Sequence, residues 1–295
     1  MIPSERRTLA RGADALAVFR FGPADGRPLL AIHGVTSSHL AWQFLADELV
    51  PRGYTLWAPD LRGRGDSRSV GGPYGMAVHA DDLAALLDFL GLQQVDVIGH
   101  SMGAFVAVAL QHRHPSRVGR LLLLDGGIPL ALPAGMTVET VMPLILGPAL
   151  TRLAMEFSNL DEYRAFWQRN PAFAQRGWGE EMDRYLAHDL RGEPGHLRPA
   201  TDPEAVTADS ADLWGGNLVS EALQALSVDV PLLRAERGLQ NEPQALYPEA
   251  TLPTVAAAYP RVRVQTILDT NHYDLVMSVE GAALVAAALF TEEDD

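Results

Sequence analysis

At 295 residues the chain is longer than an average domain of roughly 150, yet within reach of one α/β domain carrying an insertion, so a large buried core is available. Its 23 basic residues, every one an Arg, face 37 acidic ones for a net charge of −14, which leaves no electrostatic footprint for nucleic acid or an anionic membrane surface. The absence of Lys excludes Schiff-base and P-loop lysine chemistry, and the absence of Cys excludes a disulfide scaffold, thiolate metal ligation and cysteine catalysis.

In chain order, Thr8 to Phe21 is expected to form an antiparallel edge pair. Leu29 to Ile32, Tyr54 to Ala58, Val95 to Ile98 and Leu121 to Leu124 are continuous apolar runs, the mark of parallel strands covered on both faces. Trp42 to Val50, Val78 to Leu90 and Met102 to Arg113 read as the helices between them, the last closed by Pro115. From about Ile128 to Ser227 the character changes. Pro and Gly punctuate amphipathic stretches such as Leu153 to Gln168 and Glu180 to Leu190, with no clear strand. Strand character returns at Val230 to Leu233 and Val262 to Leu268, with a helical segment near Leu246 to Tyr259 between them and a final helix from Val279 to Phe290. The expected division is a core of residues 1–127 and 228–295, interrupted by a helical subdomain of residues 128–227. No run reaches the roughly 18 apolar residues of a membrane span, and no apolar stretch follows Glu5-Arg6-Arg7 as in a secretory leader. A cytoplasmic protein without a membrane partner is therefore expected.

The strongest chemical signal is Gly99-His100-Ser101-Met102-Gly103, set directly between a strand and an apolar helix. A Ser on such a tight turn is lifted clear of the sheet at a helix N-terminus, and the flanking glycines give the neighbouring backbone room. Upstream, the strand ending at Ile32 runs into His33-Gly34-Val35-Thr36-Ser37-Ser38, where a sharp turn aims a backbone N–H at the nucleophile. Val35 is the candidate donor, and Met102, just after the Ser, is its partner. Asp60 to Ser67 contains Arg64-Gly65-Asp66, which reads as a tight loop held by its own ion pairs and not as an adhesion signal. A nucleophilic Ser needs a base. Of nine His, His272 alone lies on a loop between a late strand and the last helix, at the same sheet edge as Ser101.

These elements, His33-Gly34, Asp60 to Ser67, Gly99 to Gly103 and His272, resemble the α/β-hydrolase family in kind and in order. The resemblance covers nearly the whole chain and implies the α/β-hydrolase fold, with residues 128–227 as its helical cap. It departs from the family's pattern at Asn271, where Gly often precedes the His, and at Gly238, which aligns with the usual acid. Some relatives carry their acid at the end of the strand after the nucleophile, which points to Asp125. Glu236, flanked by Arg234 and Arg237 that would hold it as an ion pair, is the alternative. The function so implied is a serine carboxylesterase with the triad Ser101, His272 and Asp125 and an oxyanion hole at Val35 and Met102. No metal or organic cofactor is implied. Lactonases, carbon–carbon bond hydrolases and a non-catalytic, receptor-like member are the other readings, while Ser in place of Asp at the elbow argues against haloalkane dehalogenases and epoxide hydrolases. Aromatics of the insert, Trp167 and Trp178 foremost, suggest a small to medium apolar ester-like substrate.

Overall fold

The computed structural model of the protein describes residues 1–290 apart from 133–134, 175–177 and 216. Six of the expected insert's residues and the last five of the expected core, 291–295, thus lie outside the described residues.

The chain opens on a hairpin of β1 (Glu5–Arg11) and β2 (Asp14–Phe21), turning through Gly12 at a φ of +64°. β3 (Arg27–Ile32), α1 (Gln43–Leu49), β4 (Tyr54–Pro59), α2 (Met76–Leu90), β5 (Val95–His100), α3 (Met102–Arg113) and β6 (Val118–Leu124) follow. The next stretch is mostly helical, with α4 (Val138–Ala154), α5 (Leu160–Gln168), α6 (Glu180–Asp189), α7 (Pro203–Gly215) and α8 (Asn217–Gln224), and a two-residue ladder of β7 (Leu190–Arg191) with β8 (Arg198–Pro199). β9 (Val230–Ala235), α9 (Leu252–Ala258), β10 (Val262–Ile267), α10 (Asp274–Met277) and α11 (Val279–Phe290) complete the chain.

Eight strands form one sheet in the order β1-β2-β4-β3-β5-β6-β9-β10. The pairs β1–β2 and β2–β4 are antiparallel and the rest parallel. Alternate residues feed opposite faces, as a period of two requires. Leu30 and Ile32 of β3 enter the core beneath α2 and α3, while Leu29 and Ala31 enter the one beneath α1 and α11. Burial on both faces explains why these strands read as unbroken apolar runs. Helix α3 is buried all along Met102 to Leu110, which is why it is apolar on every side.

Two helical expectations are corrected. Leu153 to Gln168 is not one helix, because α4 ends at Ala154 and Asn159 caps a new start, its side chain accepting from the Glu162 N–H. The segment from Leu246 is helical only from Leu252 to Ala258, after a short 3₁₀ turn, because Pro248 lacks the N–H and stands extended before it. Among the described residues, no helix is long and apolar enough to cross a membrane.

Candidate active site

Ser101 sits between β5 and α3 at φ 55° and ψ −125°, a backbone conformation that a non-glycine residue holds only under constraint from its surroundings. The constraint is local. A Cβ on Gly99 would lie 2.3 Å from the Gly103 carbonyl oxygen, and one on Gly103 would lie 2.0 Å from that of Ile32, so strand and helix close on each other only with glycine at both positions. The Ser101 N–H donates to Leu124 O at 2.9 Å, tying the turn to the end of β6.

One residue beyond β6, Asp125 is fully buried, also at positive φ (41°), and its N–H extends the ladder to Leu233 O at 2.8 Å. One of its carboxylate oxygens accepts the Ala235 N–H at 3.2 Å, and the other lies 2.7 Å from His272 Nδ1. His272 is buried as well, and its carbonyl accepts a hydrogen bond from His100 Nε2 at 2.9 Å. With Nδ1 engaged by a carboxylate, Nε2 is the nitrogen left to accept a proton.

Glu236 does not share this position. Its carboxylate accepts the exposed Asp269 N–H at 2.9 Å, and the expected ion pair with Arg234 gives way because that guanidinium turns to Tyr247 O and Thr266 Oγ1.

Two histidines flanking the turn are held neutral. His33 donates from Nδ1 to Gly34 O at 2.8 Å and accepts the Leu61 N–H on Nε2 at 3.0 Å. Burial lowers its pKa from 6.5 to about 4, and burial likewise pushes His100 well below its ordinary value. Below pH 6.5 the unfolded chain therefore binds protons that the folded chain refuses until about pH 4, so stability falls as pH falls through that window. From His33 alone the loss approaches ~3 kcal/mol. Urea midpoints should drop steadily between pH 7 and 4.5, whereas a flat profile would show these rings are not buried neutral.

The loop carrying Asp60 to Ser67 corrects another expectation, since its charges pair outward and not with each other. Arg62 binds Asp82, Arg64 binds Asp209 of α7, and Asp66 binds Arg6 and Arg191. Asp60 accepts from the N–H and Nδ1 of His39 and from the Asp66 N–H. Burial pushes its carboxyl up, but His39 and His188 outweigh that and hold it well below the usual range. Among the described residues, His39, Asp60 and His188 alone bring three atoms that could ligate a metal within 4.8 Å of one another. The Asp60 oxygens are already taken by three N–H donors, and His188 of α6 approaches the carboxylate at 3.5 Å.

Two small apolar hollows meet at Ser101 and His272, of about 30 and 20 Å³, each with room for little more than a water molecule. One is bounded by Gly34, Ser37, Trp167, Tyr185 and Met277, the other by Phe105, Leu130, Leu213, Trp214 and Leu246. Val35 lines both, and Met102 lines the second. Met102 is the first residue of α3, so its N–H has no partner within the helix. Trp167 borders the first hollow. Trp178 borders a separate open cavity of about 590 Å³ and donates from Nε1 to Asp183 at 3.0 Å.

The family model described as alpha/beta hydrolase fold matches residues 27–188, more than half of the chain. Lipase LipV of Mycobacterium tuberculosis is 38% identical over 135 residues, 45% of this chain and 49% of that protein. The chain spans half or less of the length of the curated relatives it matches. Among solved structures, E-2-(acetamidomethylene)succinate hydrolase superposes with a TM-score of 0.79 at 21% identity, covering 99% of each chain, and a thioesterase domain from the curacin pathway with 0.73 at 21%, covering 97% and 99%. From the sheet order, the strand-to-helix Ser turn and the family match together, the chain belongs to the α/β-hydrolase fold family.

Proposed function

We propose that the protein is a serine hydrolase that cleaves carboxylic esters of small to medium apolar acids and alcohols. The observation that carries this reading is the buried 2.7 Å contact between Asp125 and His272 Nδ1, with Ser101 on its constrained turn in the same pair of hollows. In this reading Ser101 Oγ attacks the carbonyl carbon and His272 Nε2 takes its proton. The alkoxide leaves with that proton, and water, deprotonated by the same nitrogen, releases the acid from the acyl-serine. Asp125 holds the Nδ1–H tautomer, and the N–H groups of Val35 and Met102 stabilise the oxyanion.

Residues 128–227 act as the cap. Helices α4, α6 and α7 supply Leu146, Tyr185 and Leu213 to the hollows, whose volumes require those side chains to give way before a substrate is seated. The substrate is uncharged, because among the described residues no Arg lines the hollows and the buried cations that bond the adjoining loop at Val35 O and Thr36 O, Arg64 and Arg152, are already neutralised by Asp209 and Asp189. Purified protein should turn over p-nitrophenyl butyrate saturably and prefer it to p-nitrophenyl hemisuccinate by more than about tenfold, since an unpaired carboxylate is costly to bury. Absence of turnover on every ester would overturn the function, and equal rates on both would overturn the substrate class.

A further inference from the structure

The loop that carries the Val35 N–H belongs to no helix or strand, yet its backbone oxygens are held one by one. Gly34 O accepts from the Ser37 N–H and from His33 Nδ1, Val35 O accepts from Arg64 Nε at 2.9 Å, and Thr36 O accepts from Arg152 Nη2 at 3.1 Å. Both arginines are almost wholly buried. A buried guanidinium needs a buried counter-charge, and in each case the helical insert provides it. Arg64, from the core loop after β4, pairs with Asp209 of α7; Arg152, itself on α4, pairs with Asp189 at the end of α6. Arg64 Nη2 also lies 3.8 Å from Met102 Sδ, so one guanidinium touches both residues assigned as oxyanion donors.

Resting on the serine-hydrolase reading, we infer that Arg64 and Arg152 are positioning residues for the oxyanion hole, and that the insert completes the catalytic centre by supplying their carboxylates. Gly34 O, held by Ser37 and His33, sets the peptide plane that carries the Val35 N–H, and fixing the carbonyls of Val35 and Thr36 sets the two planes that follow, so the N–H keeps its direction only while the backbone is held on both sides. Displacing an oxyanion donor by about 1 Å costs on the order of 10²-fold in rate. Substrate affinity is untouched by this, because the ground-state carbonyl depends little on the hole.

Two variants of the full chain test the idea. Arg64→Lys keeps a charge beside Asp209 but loses the planar Nε–H donor that reaches Val35 O. The double variant Arg64→Met with Asp209→Asn removes both charges together while the new amide still faces Gly75 N–H and His79 Nε2, which Asp209 holds at 2.7 and 3.0 Å. Each is expected to melt cooperatively, lose about 10²-fold in kcat on p-nitrophenyl butyrate with KM within about threefold, and lose affinity for a trifluoromethyl ketone in step with kcat/KM. A folded variant with unchanged kcat, or one whose KM alone moves, overturns the proposal. Failure of both variants to fold assigns Arg64 to folding and overturns it too. If wild-type protein neither turns over the ester nor reacts with a fluorophosphonate, the serine-hydrolase reading itself fails and the proposal falls with it.

Discussion

Ser101→Ala should leave the fold intact and reduce ester hydrolysis by about 10⁴-fold or more. The variant is a clean one. Alanine carries the same Cβ as serine, so it meets the same strain at φ 55°, and the Ser101 N–H that bonds Leu124 O is a backbone group the change does not touch. The loss is therefore one of chemistry, because without Oγ no acyl-enzyme forms and only water held near the oxyanion donors remains. Steady-state kinetics beside a thermal melt of the same preparation check it. Unchanged turnover from a folded variant would end the account.

The second large effect concerns the acid. In Asp125→Asn the new amide is oriented by its neighbours, since Ala235 N–H needs an acceptor and takes the amide oxygen. That turns the NH₂ toward His272 Nδ1, which must then accept, so the ring proton moves to Nε2 and the base faces Ser101 already protonated. A loss of about 10³–10⁴-fold in kcat is expected. Glu236→Gln should change kcat by less than about threefold, because a glutamine oxygen accepts the Asp269 N–H as the carboxylate does. If Glu236→Gln collapses kcat while Asp125→Asn spares it, the acid moves to the end of β9.

Much of this site was legible in the sequence because it follows from strand ends. Ser101 and Asp125 each stand one residue past a strand that the apolar runs reveal, and His272 stands on the loop after another, so period and punctuation place all three on one edge of a parallel sheet. The long-range polar contacts were not legible. Arg64 reads as part of a loop pairing with itself, and nothing in its neighbours announces that its partner, Asp209, lies 145 residues away on α7. Arg152, on α4, carries no signal of its own either, since its partner and its target, Asp189 and Thr36 O, lie 37 and 116 residues away along the chain. Trp178 shows the converse, an aromatic whose type points to a pocket but which borders a cavity other than the Ser101 hollows, its Nε1 bonded to Asp183.

Everything proposed for this protein depends on Ser101 being the activated nucleophile. Stoichiometric reaction with a fluorophosphonate, followed by intact-mass measurement and peptide mapping, addresses it most directly, because the reagent phosphonylates only a serine whose proton is being withdrawn and whose oxyanion is being stabilised. The account predicts a single adduct per chain, on the peptide containing Ser101, with loss of ester turnover in proportion to labelling. An adduct on a different residue, or full esterase activity in protein that carries the adduct at Ser101, would contradict it.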